Sequence, residues 1–291
     1  MNWTNSANLP QPLVSAIAND QYDKVGDISV TSLILPPRIR VLMKRHADEI
    51  TEDVSEGIWR LVGSIGHKIL ERSNTYNHLA EERLTAYMLG WLVSGKADLL
   101  GPEMTLDDYK FISVWSLLDE KPEWEMQLNL YAWLYQANGF DVKQLRIIAI
   151  LRDWAKSRAM REPDYPQVGV VVREIKLWSE TEQNAVVWMR VKLHKEAEEL
   201  SDDELPICTD EERWKQPDKW AVKKKVNKKA FRLFSSEKAA NNFVIEEQLQ
   251  EHKIEHRPGS YPRCANYCAV WAWCSEGRKI HAQSESDDRP F

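Results

Sequence analysis

The sequence lacks a long apolar run and holds few of the residues that mark fibrous or low-complexity chains. Its longest apolar stretch, residues 145–151, is interrupted by Arg146 and is far shorter than the roughly 18 residues of a membrane helix. The 11 glycines and 13 prolines exclude a collagen-like architecture. The first five residues lack the basic and then apolar order of a signal peptide. We therefore expect a cytoplasmic protein without a membrane partner.

Positive charge is scarce relative to acidic charge, which limits the classes of partner. The net charge is −6, so the field of the whole chain does not favour nucleic acid, and local basic patches must meet any polyanion. The 43% of hydrophobic residues supplies ample core and excludes a disordered chain. The length of 291 residues suits two domains or one elaborated α/β domain.

Hydrophobic periodicity predicts an alternation of helices and strands. Apolar residues recur every three or four positions in the helical segments, and they alternate or form short runs in the strands. One predicted helix begins at Ser32, and four more cover residues 52–71, 122–138, 181–200 and 239–249. Predicted strands cover residues 84–92, 93–100, 109–115, 145–151 and 168–175. This order predicts an α/β fold with a central mixed β-sheet flanked by helices.

Three segments differ in composition. Residues 1–30 carry little periodicity and are expected to form an irregular arm, and residues 31–205 are expected to form the core. Residues 206–291 are expected to form a basic, cysteine-containing C-terminal lobe with a hairpin over residues 220–232.

Two aspartates and a lysine lie at predicted strand edges. Asp98 ends one strand, and Asp108 and Lys110 open the next. Side chains at positions i and i+2 of a strand share a face, so Asp108 and Lys110 lie side by side, and strand pairing adds Asp98. Carboxylates hold a hard cation such as Mg²⁺, which acidifies an attacking water, while lysine orients that water or offsets charge on phosphorus. The pattern indicates metal-dependent hydrolysis of a phosphate ester.

Polar residues on the neighbouring helices extend this pattern. His67 lies on the helix before the strands and completes a candidate metal shell. Gln127 and Tyr131 are four residues apart, so they share one face of the following helix and offer polar tips to a substrate backbone.

The order of these motifs, over about residues 63–131, resembles the RecB-type branch of the PD-(D/E)XK nuclease superfamily. The cysteine-rich end is similar to that of iron–sulfur exonucleases, including the CRISPR-associated nuclease family and the AddB type. The resemblance implies a restriction-endonuclease-like core that binds Mg²⁺ or Mn²⁺. It implies metal ligands at His67, Asp98, Asp108 and the main-chain carbonyl of Tyr109, a water-orienting role for Lys110, and DNA contacts from Gln127 and Tyr131.

Two positions depart from the pattern of that superfamily. Phe111 stands where members usually carry a small hydroxyl residue, which concerns fine positioning in the site. Cys208 follows the core, whereas the first cysteine of the iron–sulfur relatives precedes it. Neither departure removes a catalytic group.

Each motif taken alone has a simpler interpretation. An Asp-x-Lys pair in a strand is often a solvated ion pair of little energetic value, a helix histidine is often structural, and Gln-x-x-x-Tyr is often a core rim. Their conjunction in one order favours the nuclease. Residues 90–97 nearly form a phosphate-binding loop, but Ala97 lacks the hydroxyl that binds Mg²⁺ and Trp91-Leu92-Val93 is typical of a strand, so ATP binding is excluded.

The four cysteines predict a metal centre. Three of them lie within eleven residues, and clustered cysteines in a chain without a secretion signal favour metal over disulfides. The residues are Cys208, Cys264, Cys268 and Cys274. Four thiolates suit a [4Fe–4S] cluster or a structural Zn²⁺, with four buried thiols as the remaining alternative. The resemblance, not the spacing, favours iron–sulfur.

A basic run in the lobe is the candidate DNA-tracking surface. Its members are Lys219, Lys223, Lys224, Lys225, Lys228, Lys229 and Arg232. Lysines of this kind follow phosphates without sequence preference, although the run also suits a solvated hairpin that balances the acidic residues 196–204. Nearby tryptophans are expected to pack around the metal, with stacking on unpaired bases as the alternative; they are Trp214, Trp220, Trp271 and Trp273.

The sequence thus predicts a Mg²⁺- or Mn²⁺-dependent DNA exonuclease acting on single strands or duplex ends in recombination, repair or phage DNA processing. A recombination or helicase protein is a possible partner. The alternatives are a structure-specific endonuclease and a non-catalytic nucleic-acid-binding protein on a nuclease scaffold.

Overall fold

A computed structural model of the chain describes residues 2–19, 25–72, 79–117, 121–224 and 229–286. The chain forms two compact units, Met1–Leu200 and Ser201–Phe291, and each is described by itself. In the described part of the chain, no helix combines the length and apolarity that a bilayer crossing demands.

The first unit alternates helices and strands throughout. In chain order its elements are β1 (Asn2–Thr4), α1 (Gln11–Ala18), β2 (Ile28–Ser29), α2 (Val30–Ile34), α3 (Pro37–Arg45), β3 (Thr51–Asp53), α4 (Ile58–Arg72), β4 (Leu79–Ala80), β5 (Arg83–Met88), β6 (Trp91–Lys96), β7 (Leu99–Leu100), β8 (Thr105–Ile112), α5 (Pro122–Ala137), β9 (Gln144–Leu151), α6 (Lys156–Ala159), β10 (Val170–Ile175) and α7 (Glu180–Glu198). Short 3₁₀ turns cover Val54–Gly57 and Val114–Leu117.

A five-stranded mixed sheet organises this unit. Its strand order is β10-β9-β8-β7-β4, in which β8 and β9 run parallel and the other neighbours run antiparallel. A three-stranded sheet of order β2-β6-β5 and a parallel β1–β3 pair accompany it. The predicted mixed α/β class, with helices and mixed sheets, is confirmed.

The core lies between the sheets and α5. Alternate residues of β9 are buried, as the period of two requires: Leu145, Ile147, Ala149 and Leu151. Residues 128–135 of α5 are all buried, so this helix is covered on every side. Its close approach to β6 depends on Gly95, because a Cβ atom there would come within 3 Å of Leu134 and Tyr131.

Local signals set the ends of α5 and α7. Proline in the first turn suits the start of α5, and Gly139 beyond its end adopts a φ of +89° that other residues avoid. Ser179 and Glu182 form a capping box at the start of α7, each side chain bonding the other residue's backbone N–H. The predictions for both helices are confirmed to within two residues.

Other predicted boundaries are wrong. The helix predicted from Ser32 is two helices, α2 and α3, because Leu35 is extended ahead of the Pro36-Pro37 pair. The helix predicted over residues 52–71 begins only at Ile58, since Asp53 accepts the backbone N–H of Ser55 and starts a 3₁₀ turn. Residues 1–30 are not an irregular arm, because β1, α1 and β2 lie there and β2 pairs with β6.

Two predicted strands also change their limits. The strand predicted over residues 93–100 ends at Lys96, and β7 is a separate strand of the five-stranded sheet. β8 begins at Thr105 rather than residue 109, which places Asp108 inside a buried part of the strand.

The second unit contains β11 (Lys219–Lys224), β12 (Arg232–Phe234), α8 (Glu237–Glu246), β13 (His252–Arg257) and α9 (Ser275–Ser286). The strands form an antiparallel sheet of order β12-β11-β13, and Val222, Ala240 and Phe243 form its small core with α8. The predicted basic hairpin is confirmed in its two strands, β11 and β12; residues 225–228, and with them Lys225 and Lys228, lie outside the described residues.

Candidate metal-binding hydrolytic site

Six of the predicted site residues line one pocket of the first unit. The pocket has a volume of about 460 Å³, and its walls include His67, Asp98, Asp108, Lys110, Gln127 and Tyr131. These side chains come from α4, the loop between β6 and β7, β8 and α5. The fold therefore brings together residues that are up to 64 positions apart in the sequence.

Asp98 is held at both carboxylate oxygens. The backbone N–H of Tyr109 donates to Asp98 Oδ2 at 2.7 Å, and His67 Nδ1 lies 3.3 Å from Asp98 Oδ1. The hydrogen bond to Asp98 raises the pKa of His67 above its ordinary value, against the opposing effect of burial. Tyr109 thus contributes its N–H to the site, and metal ligation by its carbonyl stays a prediction.

Asp108 is a buried carboxylate beside a lysine. It is 2% exposed, and burial raises its pKa to about 6 although Lys110 acts in the opposite direction. Lys110 Nζ lies 2.7 Å from Asp108 Oδ2, but the contact lacks hydrogen-bond angles, so this oxygen has no hydrogen-bond partner within the described parts of the chain. The ammonium group of Lys110 is therefore the charge partner of this buried carboxylate, and metal ligation by Asp108 stays a prediction.

Gln127 and Tyr131 support the pocket from α5. Lys110 Nζ donates a hydrogen bond to Gln127 Oε1 at 3.0 Å, so Gln127 fixes the position of the lysine. Tyr131 is buried in the main hydrophobic core and forms part of the pocket wall. Contact of either side chain with DNA stays a prediction.

Glu81 is a site residue that the sequence analysis missed. Its Oε1 lies 3.7 Å from His67 Nδ1, and its backbone N–H donates to the carbonyl of Asp98 at 3.1 Å. One ligand atom each from His67, Glu81 and Asp98 lies within 4.8 Å of the other two. The predicted hairpin held the signal: Arg83 pairs with Lys96, and the same register continued outward places residue 81 opposite residue 98.

Cations around the pocket were also missed. The missed cations of α4 are Arg60 and Lys68. They share one face of the helix with Ser64 and the predicted His67, because residues three and four apart on a helix are neighbours, and all four line the pocket. Lys96 lines it too and forms an ion pair with Glu81. These positive side chains offset the acidic group and suit an anionic ligand.

Phe111 replaces the expected small hydroxyl residue for a packing reason. Its ring lies against Gly66 of α4, where a Cβ atom would approach Phe111 Cζ to 2.1 Å. The same ring meets the imidazole of His67 edge-on, with centroids 6.2 Å apart. Phe111 therefore packs α4 onto β8 and restricts the orientation of His67.

The four cysteines are free thiols in the second unit. Cys264 lies in a π-helical turn, Arg263–Tyr267, Cys268 follows that turn, and Cys274 follows the 3₁₀ turn Trp271–Trp273. Burial, with smaller effects of Glu212 and the other three cysteines, raises the pKa of Cys208 to about 12. Burial likewise raises the pKa of Cys264 to about 11. Among the described residues, no three of these sulfurs lie within 4.8 Å of one another, so metal ligation by the four cysteines stays a prediction.

The predicted basic surface is only partly available to a ligand. Lys223 forms an ion pair with Glu255 of the neighbouring strand β13, and Glu255 also pairs with Arg257. Lys224 is exposed at the end of β11. Phosphate contact by Lys223, Lys224 and Lys225 stays a prediction.

Comparison with known proteins gives no family. No family model matches the chain, and no curated protein matches it. Part of the chain is similar to two crystal structures. One, SSO0001, is 17% identical with a TM-score of 0.44, covering 63% of this chain and 84% of that chain. The other, a phage-related exonuclease from Haemophilus somnus 129PT, is 13% identical with a TM-score of 0.30, covering 64% and 77%. Similarity at this level does not define a function.

Proposed function

We propose that the chain is a divalent-metal-dependent deoxyribonuclease that hydrolyses phosphodiester bonds from strand ends. The observation that carries the proposal is the convergence of His67, Asp98, Asp108 and Lys110 on one pocket. The superfamily resemblance of the same residues supports it.

The residues present fit a divalent ion. His67, Glu81 and Asp98 offer ligand atoms within 4.8 Å of one another, and Asp108, which lines the same pocket and is ion-paired with Lys110, lies outside that group. Carboxylate oxygens with an imidazole suit Mg²⁺ or Mn²⁺. Such an ion, when bound, acidifies water and stabilises negative charge on phosphate oxygens.

The chain's own cations position the substrate and stabilise charge. Lys110, held between Asp108 and Gln127, presents an ammonium group to the pocket, where it offsets charge that develops on phosphorus. Arg60 and Lys68 line the same pocket from α4 and offset the charge of the substrate backbone. These contacts act on phosphate alone, so they favour cleavage without sequence preference.

A cleavage assay with matched variants tests the catalytic assignment. Asp108→Ala and Lys110→Ala are expected to lower the rate with Mn²⁺ by at least on the order of a hundredfold while DNA binding persists. Asp107→Asn is the control, because Asp107 is the adjacent buried carboxylate of β8 and bonds Arg146 instead. Full activity of either catalytic variant would defeat the assignment.

Substrate topology separates the proposal from its two alternatives. An exonuclease degrades linear single-stranded DNA or duplex ends and leaves closed circular single-stranded DNA intact. Cutting of the circle identifies a structure-specific endonuclease instead. Binding of DNA without cleavage, with Mg²⁺ or Mn²⁺ supplied, identifies a non-catalytic protein on a nuclease scaffold.

We propose further that Cys208, Cys264, Cys268 and Cys274 hold a [4Fe–4S] cluster, with structural Zn²⁺ as the alternative. Burial raises the pKa of the Cys208, Cys264 and Cys268 thiols, which makes them poor free thiolates, and a bound cation offsets that cost. The sequence resemblance favours iron–sulfur.

A further inference from the structure

Two exposed aromatic side chains lie in contact in the second unit. Trp214 is 40% exposed and Tyr267 is 70% exposed, and their ring centroids lie 5.4 Å apart with the planes tilted by 55°. Large aromatic rings gain most of their stabilisation from burial. This pair therefore leaves much of its apolar surface in water and available to a ligand.

One cation lies beside the aromatic pair, and two more lie against the neighbouring Tyr261. The guanidinium of Arg263 lies 5.4 Å from the centre of the Trp214 ring, and its Nη1 donates to the carbonyl of Glu212. Arg213 lies 4.0 Å over the ring of Tyr261. The nearby acid Asp210 pairs with both Arg213 and Lys215, which offsets its charge. Arg213 also pairs with the acid Glu276, so Arg263 is the cation that makes the aromatic pair suitable for an anionic, aromatic ligand.

The backbone conformation of Trp214 costs free energy. Its φ of +58° lies in the left-handed region, which bulky side chains rarely adopt. A capping exchange fixes the turn: Thr209 N–H donates to Glu212 Oε2, and Glu212 N–H donates to Thr209 Oγ1. Lys215 N–H then donates to the carbonyl of Asp210. Strained residues of this kind are concentrated at ligand clamps.

We infer that Trp214 and Tyr267 form a stacking platform for unpaired bases of single-stranded DNA, with Arg263 beside it. Base–aromatic stacking tolerates any sequence, and bases in a duplex are already stacked and do not reach such a platform. The inference rests on the proposed function for the identity of the ligand as DNA. It adds a preference for single strands and a binding site outside the catalytic pocket.

Fluorescence anisotropy on the full-length chain tests the platform. All variants carry Lys110→Ala, so that labelled DNA stays intact with metals present. Trp214→Gly removes the indole and suits the left-handed backbone, and Tyr267→Ala removes the second ring. Tyr87→Ala is the control, because Tyr87 is 74% exposed on the β5–β6 hairpin of the first unit.

Each platform variant is expected to bind a labelled oligothymidylate roughly five- to a hundredfold more weakly, with duplex binding and the control unchanged. Unchanged oligothymidylate affinity in both variants overturns the inference. So does an equal loss of oligothymidylate and duplex binding with a fall in metal content, because the rings then only pack around the cysteines. Cleavage by the unsubstituted chain is measured separately. If the unsubstituted chain does not cleave DNA but its affinity for oligothymidylate depends on Trp214, only the proposed function is defeated. If it cleaves DNA and the affinity does not depend on Trp214, only this inference is defeated.

Discussion

Glu81 tests how the pocket holds a cation. If Glu81 contributes a ligand atom beside His67 and Asp98, Glu81→Gln weakens metal binding. The Mn²⁺ concentration for half-maximal cleavage is then expected to rise by on the order of tenfold or more. A Mn²⁺ titration of the cleavage rate measures this. Glu82→Gln is the control, since Glu82 is adjacent and exposed, and an equal response of both variants would contradict the assignment.

The two glycines of α4 give opposite expectations for the same substitution. Gly66→Ala drives a methyl group into the ring of Phe111 and is expected to destabilise the fold by about 1–3 kcal/mol. Gly63→Ala meets no atom within 4 Å and is expected to stabilise it by about 0.5–1 kcal/mol, because alanine favours the helix. Urea unfolding measures both. Adding Phe111→Leu to Gly66→Ala is expected to restore part of the loss, and a stabilised Gly66→Ala would refute the contact.

Lys110 illustrates how far side-chain pairing was predictable. The Asp-x-Lys spacing predicts that Asp108 and Lys110 share a face, and the 2.7 Å contact between them agrees with it. The spacing says nothing of Gln127, whose amide oxygen fixes the lysine from a different element. Nor does it predict the raised pKa of Asp108, because burial depends on everything packed around the strand.

The contact of α3 with α7 gives the first unit a pH dependence. His194 of α7 is fully buried, accepts a hydrogen bond from Arg40 at Nδ1, and lies near Arg190 and Glu198. Burial, with the charges of Arg40 and Arg190, lowers the pKa of His194 to about 3. The unfolded chain takes up this proton near pH 6.5, so stability falls as pH drops below that value and goes on falling toward pH 3.

From pH 7 to pH 5, His194 is expected to account for a loss of about 2 kcal/mol in the free energy of unfolding. Urea denaturation at the two values measures it. The His194→Gln variant lacks the titrating group. Between pH 7 and pH 5 its free energy of unfolding is therefore expected to fall by about 2 kcal/mol less than that of the unsubstituted protein, whatever its stability at pH 7. Equal slopes for the two proteins would rule out this source of the dependence.

Elements with one-sided or uniform burial were predictable, and elements defined by partners were not. The apolar runs of α5 and β9 are visible in the local sequence, whereas the alternating burial of β9 is not, because Ile148 and Ile150 are as apolar as their buried neighbours. The break between β6 and β7 is not visible in the local sequence. Residues 93–100 were predicted as one strand, but β6 belongs to the three-stranded sheet and β7 to the five-stranded sheet. Short strands such as β2 and β3 exist only through their partners.

The proposed cysteine centre depends on the tertiary structure of the second unit, because Cys208 lies near one end of its sequence and the other three cysteines lie near the other end. Protein purified without oxygen is expected to show the broad visible absorption of thiolate-bound iron, and Cys264→Ser is expected to lose it. Absorption spectra and metal analysis measure this. A colourless protein with stoichiometric zinc would establish the alternative metal, and a protein with neither metal would leave four free thiols.

Composition and local spacing were enough for the mixed α/β class, the main helices, and the grouping of two aspartates with a lysine, because these depend on residues that are neighbours in a helix or strand. Only the tertiary structure showed four other features: Glu81 in the site, the cations of α4, the Phe111–Gly66 contact, and the exposure of Trp214 and Tyr267. Each of these features depends on residues that are far apart in the sequence. Packing between elements sets their distances, burial and pKa values, and such packing leaves no fixed spacing along the chain.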